Sequence, residues 1–254
     1  MSNSVDIKGI KVNYIRSRKT SGSKRILIFL HGWAGSSQSW EVNIKDLSQE
    51  YDCIAIDIPG FGVSEEPAEI WGIDEYSQFL HDFTKTLQIS KFVLVGKSFG
   101  GRIAISYAHK WPETLSNLIL VSSAGIEKKG ITTRVIIALA RVGKSLLSFL
   151  GLGNLERLRN WFYKVAKVNR DPGNYKWQVK KLVTNDNLAT TAKRIKLPTL
   201  IVWGIKDNIL PLKLGKELAG MIKGSTFRQI EGGHNAHQES YKEFNFLVEE
   251  YLSS

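Results

Sequence analysis

The chain has 254 residues, 43% of them hydrophobic, which suits one sizeable α/β core carrying an insertion better than several full domains. Its single cysteine, Cys53, excludes an intrachain disulfide, and no stretch approaches the ~20 apolar residues of a membrane span; with no signal-peptide pattern at the start, a cytoplasmic location is expected. The formal charge of +11 is concentrated in one segment, since residues 127–196 carry 16 Lys or Arg against 4 Asp or Glu.

Residues 5–17 alternate polar and apolar around Lys8-Gly9, predicting an edge hairpin. Arg25 to Leu30 is a short apolar run of the kind found in a strand covered on both faces, and it leads into the glycine-rich loop His31-Gly32-Trp33-Ala34-Gly35. A helix from about Trp40 to Gln49 returns the chain to a strand at Cys53 to Asp57, where Cys53 reads as a buried, inert thiol. The turn-rich loop Pro59-Gly60-Phe61-Gly62-Val63-Ser64 follows, and then a helix over Asp74 to Leu87, with Tyr76, Phe79, Leu80, Phe83 and Leu87 on one face.

Next comes Phe92-Val93-Leu94-Val95-Gly96-Lys97-Ser98-Phe99-Gly100-Gly101, in which a strand turns directly into a helix at Ser98. That setting suits a nucleophile: a sharp turn lifts the hydroxyl clear of the backbone, and the small neighbours Gly96 and Gly100 leave room for it. The helix N-terminus favours developing negative charge there, with the Phe99 N–H as a candidate oxyanion donor. After the strand Leu118 to Val121 the alternation stops. Residues 131–187 read as helical only, over Val135 to Leu150, Leu155 to Val168 and Tyr175 to Leu182. Strand and helix then resume with Leu197 to Trp203, Leu212 to Ile222, Thr226 to Ile230, the loop Glu231 to His237, and a final amphipathic helix to Tyr251. Alternating strands and helices predict a parallel sheet with right-handed crossovers, whose site lies outside the carboxyl ends of the strands; the loops at Trp33, Ser64 and Ser98 can therefore share one cleft.

Taken together, the His31-Gly32-Trp33 loop, the Asp57-x-Pro59-Gly60-x-Gly62-x-Ser64 loop, the Ser98 elbow, Gly204-x-x-Asp207 and Gly233-His234 resemble the α/β-hydrolase superfamily, its lidded, esterase-like serine hydrolases in particular. The resemblance implies an α/β fold with a mostly parallel sheet of about eight strands flanked by helices and a helical lid inserted after the sixth strand. Residues 1–126 and 191–254 would form the core and 127–190 the lid. It further implies a Ser98, His234 and Asp207 triad cleaving carboxylic esters through an acyl-enzyme, with the backbone N–H groups of Trp33 and Phe99 holding the oxyanion. A serine nucleophile disfavours the aspartate-based branches. Carbon–carbon hydrolysis of meta-cleavage type, thioester or lactone hydrolysis, perhydrolase activity and a non-catalytic receptor remain as alternatives.

Asp57 and Asp186 are weaker candidates for the acid, with loop structure and solvent exposure as their default. His31 is expected to support the oxyanion loop and to line the pocket. Lys97 faces either the cleft, where it would attract an acidic substrate or oppose protonation of His234, or the helix layer, where it is merely paired or solvated. Trp161 and Trp177, among the lid aromatics, are candidates for an apolar pocket that takes an acyl or aromatic group. His237 is not expected to bind metal, His81 and His109 read as ordinary helix positions, and no cofactor is expected. The basic lid is either a solvated face without a partner or suits an anionic substrate or an anionic membrane surface; nucleic acid is not expected, because no recognised motif accompanies the charge.

Overall fold

A computed structural model describes residues 2–17, 25–126 and 174–253. The hairpin pairs β1 (Ser2–Ile7) with β2 (Ile10–Ser17) across a two-residue turn in which Lys8 and Gly9 have φ of 53° and 82°. These are the left-handed values a tight hairpin needs. β1 begins three residues before the predicted start because its polar first residues are held by the ladder to Tyr14 and Ile15 rather than by burial.

The core follows as β3 (Ile26–Leu30), a 3₁₀ turn (Ser37–Trp40), α1 (Glu41–Leu47), β4 (Asp52–Ile56), α2 (Ile73–Thr86), β5 (Phe92–Lys97), α3 (Phe99–Lys110) and β6 (Leu115–Val121). Beyond residue 173 come α4 (Tyr175–Val183), α5 (Ala189–Ala192), β7 (Thr199–Gly204), α6 (Leu212–Met221), β8 (Thr226–Ile230), α7 (Ala236–Glu239) and α8 (Tyr241–Ser253). Where one final helix was predicted there are two, broken at Ser240. The predicted helices over Val135 to Leu150 and Leu155 to Val168, and Trp161 with them, lie outside the described residues.

Eight strands form one sheet in the order β1-β2-β4-β3-β5-β6-β7-β8, parallel from β4 to β8 and antiparallel at the hairpin edge. This is the α/β-hydrolase arrangement the sequence predicts.

Strand alternation sorts the core into two layers. Ile28, Leu30, Ile54, Ile56, Leu94 and Leu120 face α2, α3 and α6, with Tyr76, Phe79, Ile103 and Leu218 packed on them. Leu27, Phe29, Cys53, Val93, Val95 and Val121 face α1 and α8, against Ile44, Leu47, Phe244 and Val248. Burial of Cys53 raises its thiol pKa, consistent with an inert side chain. The same alternation carried one step beyond Val95 sends Gly96 toward α3 and Lys97 toward the α1 and α8 layer. Among the described residues, no helix is long and apolar enough to cross a membrane.

Candidate active site at the strand ends

β5 ends at Lys97 and α3 begins at Phe99, so Ser98 alone turns the chain, at φ 51° and ψ −108°. A non-glycine residue in this region carries strain of about 1–3 kcal/mol and persists only where its surroundings over-determine it. Here the Ser98 N–H donates to Val121 O (3.0 Å), while its carbonyl accepts from Gly101 N (3.0 Å) and Ala124 N (3.1 Å). The close approach also requires glycine: a Cβ on Gly96 would lie 2.6 Å from Gly100 O, and one on Gly100 would lie 2.5 Å from Leu30 O.

The loop after β3 is tied to this turn, since Gly100 N donates to His31 O at 3.1 Å. His31 Nδ1–H donates to Gly32 O (2.7 Å), and Nε2 accepts from Ile58 N (3.1 Å). Burial pulls its pKa down to about 4 against the opposing influence of the Gly32 carbonyl and Asp57, so the ring is neutral. With both nitrogens engaged and no exposed surface, His31 supports the loop but does not line a pocket, which corrects half of the expectation. The Trp33 ring packs edge-on against Phe61 (centroids 5.0 Å apart) and Phe99 (5.3 Å). Among the described residues, neither the Trp33 nor the Phe99 backbone N–H donates a hydrogen bond.

The loop after β8 brings His234 to Ser98. The Ser98 hydroxyl donates to His234 Nε2 at 3.1 Å, and His234 Nδ1–H donates to Asp207 Oδ2 at 2.8 Å. A carboxylate can only accept, so the imidazole proton sits on Nδ1 and Nε2 is free to take one from the serine. Asp207, at the end of β7, has a fully buried side chain. Burial alone would raise its pKa, but the His234 hydrogen bond and the Leu210 and Ile209 N–H groups on Oδ1 together hold it below the ordinary carboxylate value. Sequence separations of 136 and 27 residues are thus closed by strand ends.

Lys97 lies on the α1 and α8 side, 8% exposed, and donates from Nζ to Asn235 Oδ1 at 2.7 Å. Burial brings its pKa down to about 8, with Asp207 and Glu239 opposing. Trp177 is half-buried on α4. Tyr175, Val179 and Val183 form the buried face of that helix, and Trp177 sits about 200° round from Tyr175, beneath the Lys181 ammonium. Tyr175 reaches the Pro59 to Gly62 loop, and its hydroxyl lies 3.1 Å from that of Tyr76.

The rivals have other work. Asp57 accepts from Ser37 N (2.6 Å), Val63 N (3.0 Å) and Asn13 Nδ2 (3.0 Å), pinning its own loop, and Asp186 is exposed. His237 is fully buried against Trp40, His81 stacks on Trp111, and His109 is exposed. Sequence reasoning missed Asn235 and Glu239, the residues that hold the His234 loop. Glu239 accepts from Gly233 N at 2.6 Å. A Gly-His-Asn triplet with a carboxylate one helical turn later was the available signal.

A model of the alpha/beta hydrolase fold matches residues 25–241. The AB hydrolase superfamily protein YisY of Bacillus subtilis (strain 168) is 30% identical, with 92% of this chain and 93% of that protein aligned. Monoacylglycerol lipase abhd6-A of Xenopus laevis is 26% identical over 94% of this chain and 78% of its own length. Among solved structures, the enol-lactonase from Burkholderia xenovorans LB400 superposes with a TM-score of 0.77 at 19% identity, covering 99% of this chain and 100% of that one. Names among the matches also include an epoxide hydrolase and a meta-cleavage product hydrolase, so the shared fold leaves the bond cleaved open. The chain belongs to the α/β-hydrolase fold family.

Proposed function

We propose that the protein is a serine hydrolase that cleaves carboxylic esters through an acyl-enzyme. The observation that carries this reading is the continuous hydrogen-bonded chain from the Ser98 hydroxyl through His234 to the buried Asp207. Ser98 Oγ attacks the ester carbonyl as His234 Nε2 takes its proton; Asp207 keeps the Nδ1 tautomer and stabilises the imidazolium. The N–H groups of Trp33 and Phe99 receive the oxyanion, where losing one donor costs about 2.7–4 kcal/mol of barrier. His234 then returns the proton to the leaving alcohol, and water repeats the sequence to release the acid. The half-buried Trp33 ring, backed by the buried Phe61 and Phe99 rings, favours an apolar acyl or aromatic group on the substrate. A lid drawn from residues 127–190 would close over it.

Release of p-nitrophenol from esters of increasing acyl length, by the native protein, Ser98→Ala and His234→Ala, tests the reading. Turnover lost by about 10³-fold or more in both folded variants supports it. Native turnover retained by Ser98→Ala would overturn it. Absence of any turnover, with a vinylogous diketone cleaved instead, would replace it by carbon–carbon hydrolysis.

A further inference from the structure

Lys97 is a buried cation behind the Ser98, His234 and Asp207 chain, and the reaction above gives it no task. Its stem runs along the oxyanion loop: a Cβ on Gly32 would come 3.0 Å from Lys97 Cδ and 3.1 Å from Nζ. Its head donates to Asn235, the residue after the base, while on the other side Gly233 N donates to Glu239. His234 is therefore gripped through both of its neighbours. Burying an ammonium is costly, and the partner here is a neutral amide. Among the described residues no carboxylate lies within ion-pair distance of Nζ, so its charge is not cancelled by contact.

We infer that Lys97 is a positioning residue that holds the His234 loop through Asn235 and, by its charge behind the Asp207–His234 pair, weakens the hold of His234 on a proton. A cation near a carboxylate–imidazole pair offsets the field by which the carboxylate favours imidazolium. The groups around it come from each neighbouring element: Asp207 after β7, Glu239 and His237 on α7, and His31 after β3. His31 and His237 are neutral in the fold, which leaves two carboxylates and Lys97 to set the balance. If the serine-hydrolase reading holds, the reactivity of Ser98 depends on a side chain that reaches the base through Asn235.

The test reads His234 directly. The imidazole carbon–proton resonance of ¹³C-histidine-labelled protein, assigned with His234→Gln, is followed against pH in the native protein, Lys97→Met, Lys97→Gln and Lys97→Arg. Loss of the charge is expected to raise the His234 midpoint by about half to one pH unit, whereas Lys97→Arg leaves it in place. Lys97→Gln, which keeps a polar head, serves if Lys97→Met does not fold. An unchanged midpoint in either folded neutral variant overturns the electrostatic role. Asn235→Ala, at an exposed position, is expected to slow fluorophosphonate labelling of Ser98 several-fold without moving the midpoint; labelling at the native rate overturns the holding role. No labelling of the native protein would defeat the serine-hydrolase reading, while the titration would still decide the inference about Lys97.

Discussion

The two faces of the sheet hold the reacting groups by different physics. On the α2 and α3 face, Trp33, Phe61, Tyr76 and Phe99 form an aromatic cluster of edge-on and tilted rings, and Ser98 is set by backbone that leaves no room for a side chain at Gly96 or Gly100. On the α1 and α8 face a small polar cluster is set into the apolar layer. Asn43 Nδ2 donates to His237 O (2.8 Å) and Asn245 Oδ1 (3.0 Å), and the ring nitrogens of His237 make no well-formed hydrogen bond, the Ser39 backbone being the polar group that faces them. The nucleophile is thus fixed by excluded volume. The base hangs on a loop held by polar bonds, which can be retuned without rebuilding the core.

The comparison breaks most severely at Gly100. Gly100→Ala would push a methyl group to 2.5 Å from Leu30 O and 2.7 Å from His31 O, and His31 O is itself bonded to Gly100 N. Destabilisation of about 3 kcal/mol, seen as a lower urea midpoint, and loss of Ser98 labelling by fluorophosphonate are expected together. Native stability in this variant would show that sterics do not set the turn.

Acid acts on the histidines instead. His31 and His237 ordinarily titrate near 6.5 and are held neutral in the fold to about 4 and about 3, mainly by burial. Below pH 6.5 the unfolded chain takes up protons that the folded chain refuses. The stability they contribute is therefore complete above that pH and is lost as pH falls toward the folded-state values, at about 1.4 kcal/mol per pH unit for each ring. Urea melts between pH 6 and 4.5 check this slope, and His237→Phe should remove about half of it. At pH 7.5 that variant should be no less stable, since it deletes two poorly satisfied buried nitrogens.

How far the sequence foretold this architecture depends on what each residue answers to. Strands such as Ile26–Leu30 and Phe92–Lys97 are legible because burial on both faces demands an unbroken apolar run, and the Ser98 turn because its glycines obey a local steric rule. Pairings of Ser98, His234 and Asp207 follow once strand ends are known to converge. The role of Asn235 is not legible in the same way, since an amide beside a histidine reads as a turn until Lys97 is seen to reach it across 138 residues. The full burial of His31 and the phase of Trp177 on its helix are hidden from the sequence for a related reason. Residue type advertises a pocket, but direction is decided by a neighbour's N–H in one case and by helix phase in the other.

A smaller effect sharpens the contrast from the aromatic side. The Tyr76 and Tyr175 hydroxyls form a buried polar link there, with Tyr76 also donating toward Pro59 O at 3.3 Å. Tyr175→Phe leaves the packing intact and Tyr76 still partnered, so a loss of about 1 kcal/mol is expected in the same melts.

Glu239 gives the smallest change in stability and the finest reading of the base loop. It is exposed, and its carboxylate accepts from Gly233 N at 2.6 Å, so replacing it alters little buried surface and should move stability by less than about 0.5 kcal/mol. Its leverage is geometric: with that bond gone, the residue before His234 is free while Lys97 still holds the residue after it. Glu239→Ala should therefore slow Ser98 labelling by about tenfold, and Glu239→Gln, which keeps a weaker acceptor, by about threefold. Removing this carboxylate also leaves the positive charge of Lys97 less opposed, so the acid limb of labelling should move to lower pH, opposite to the shift expected for Lys97→Met. Equal rates in the native protein and Glu239→Ala would mean that the loop is held by Asn235 and the α7 backbone alone.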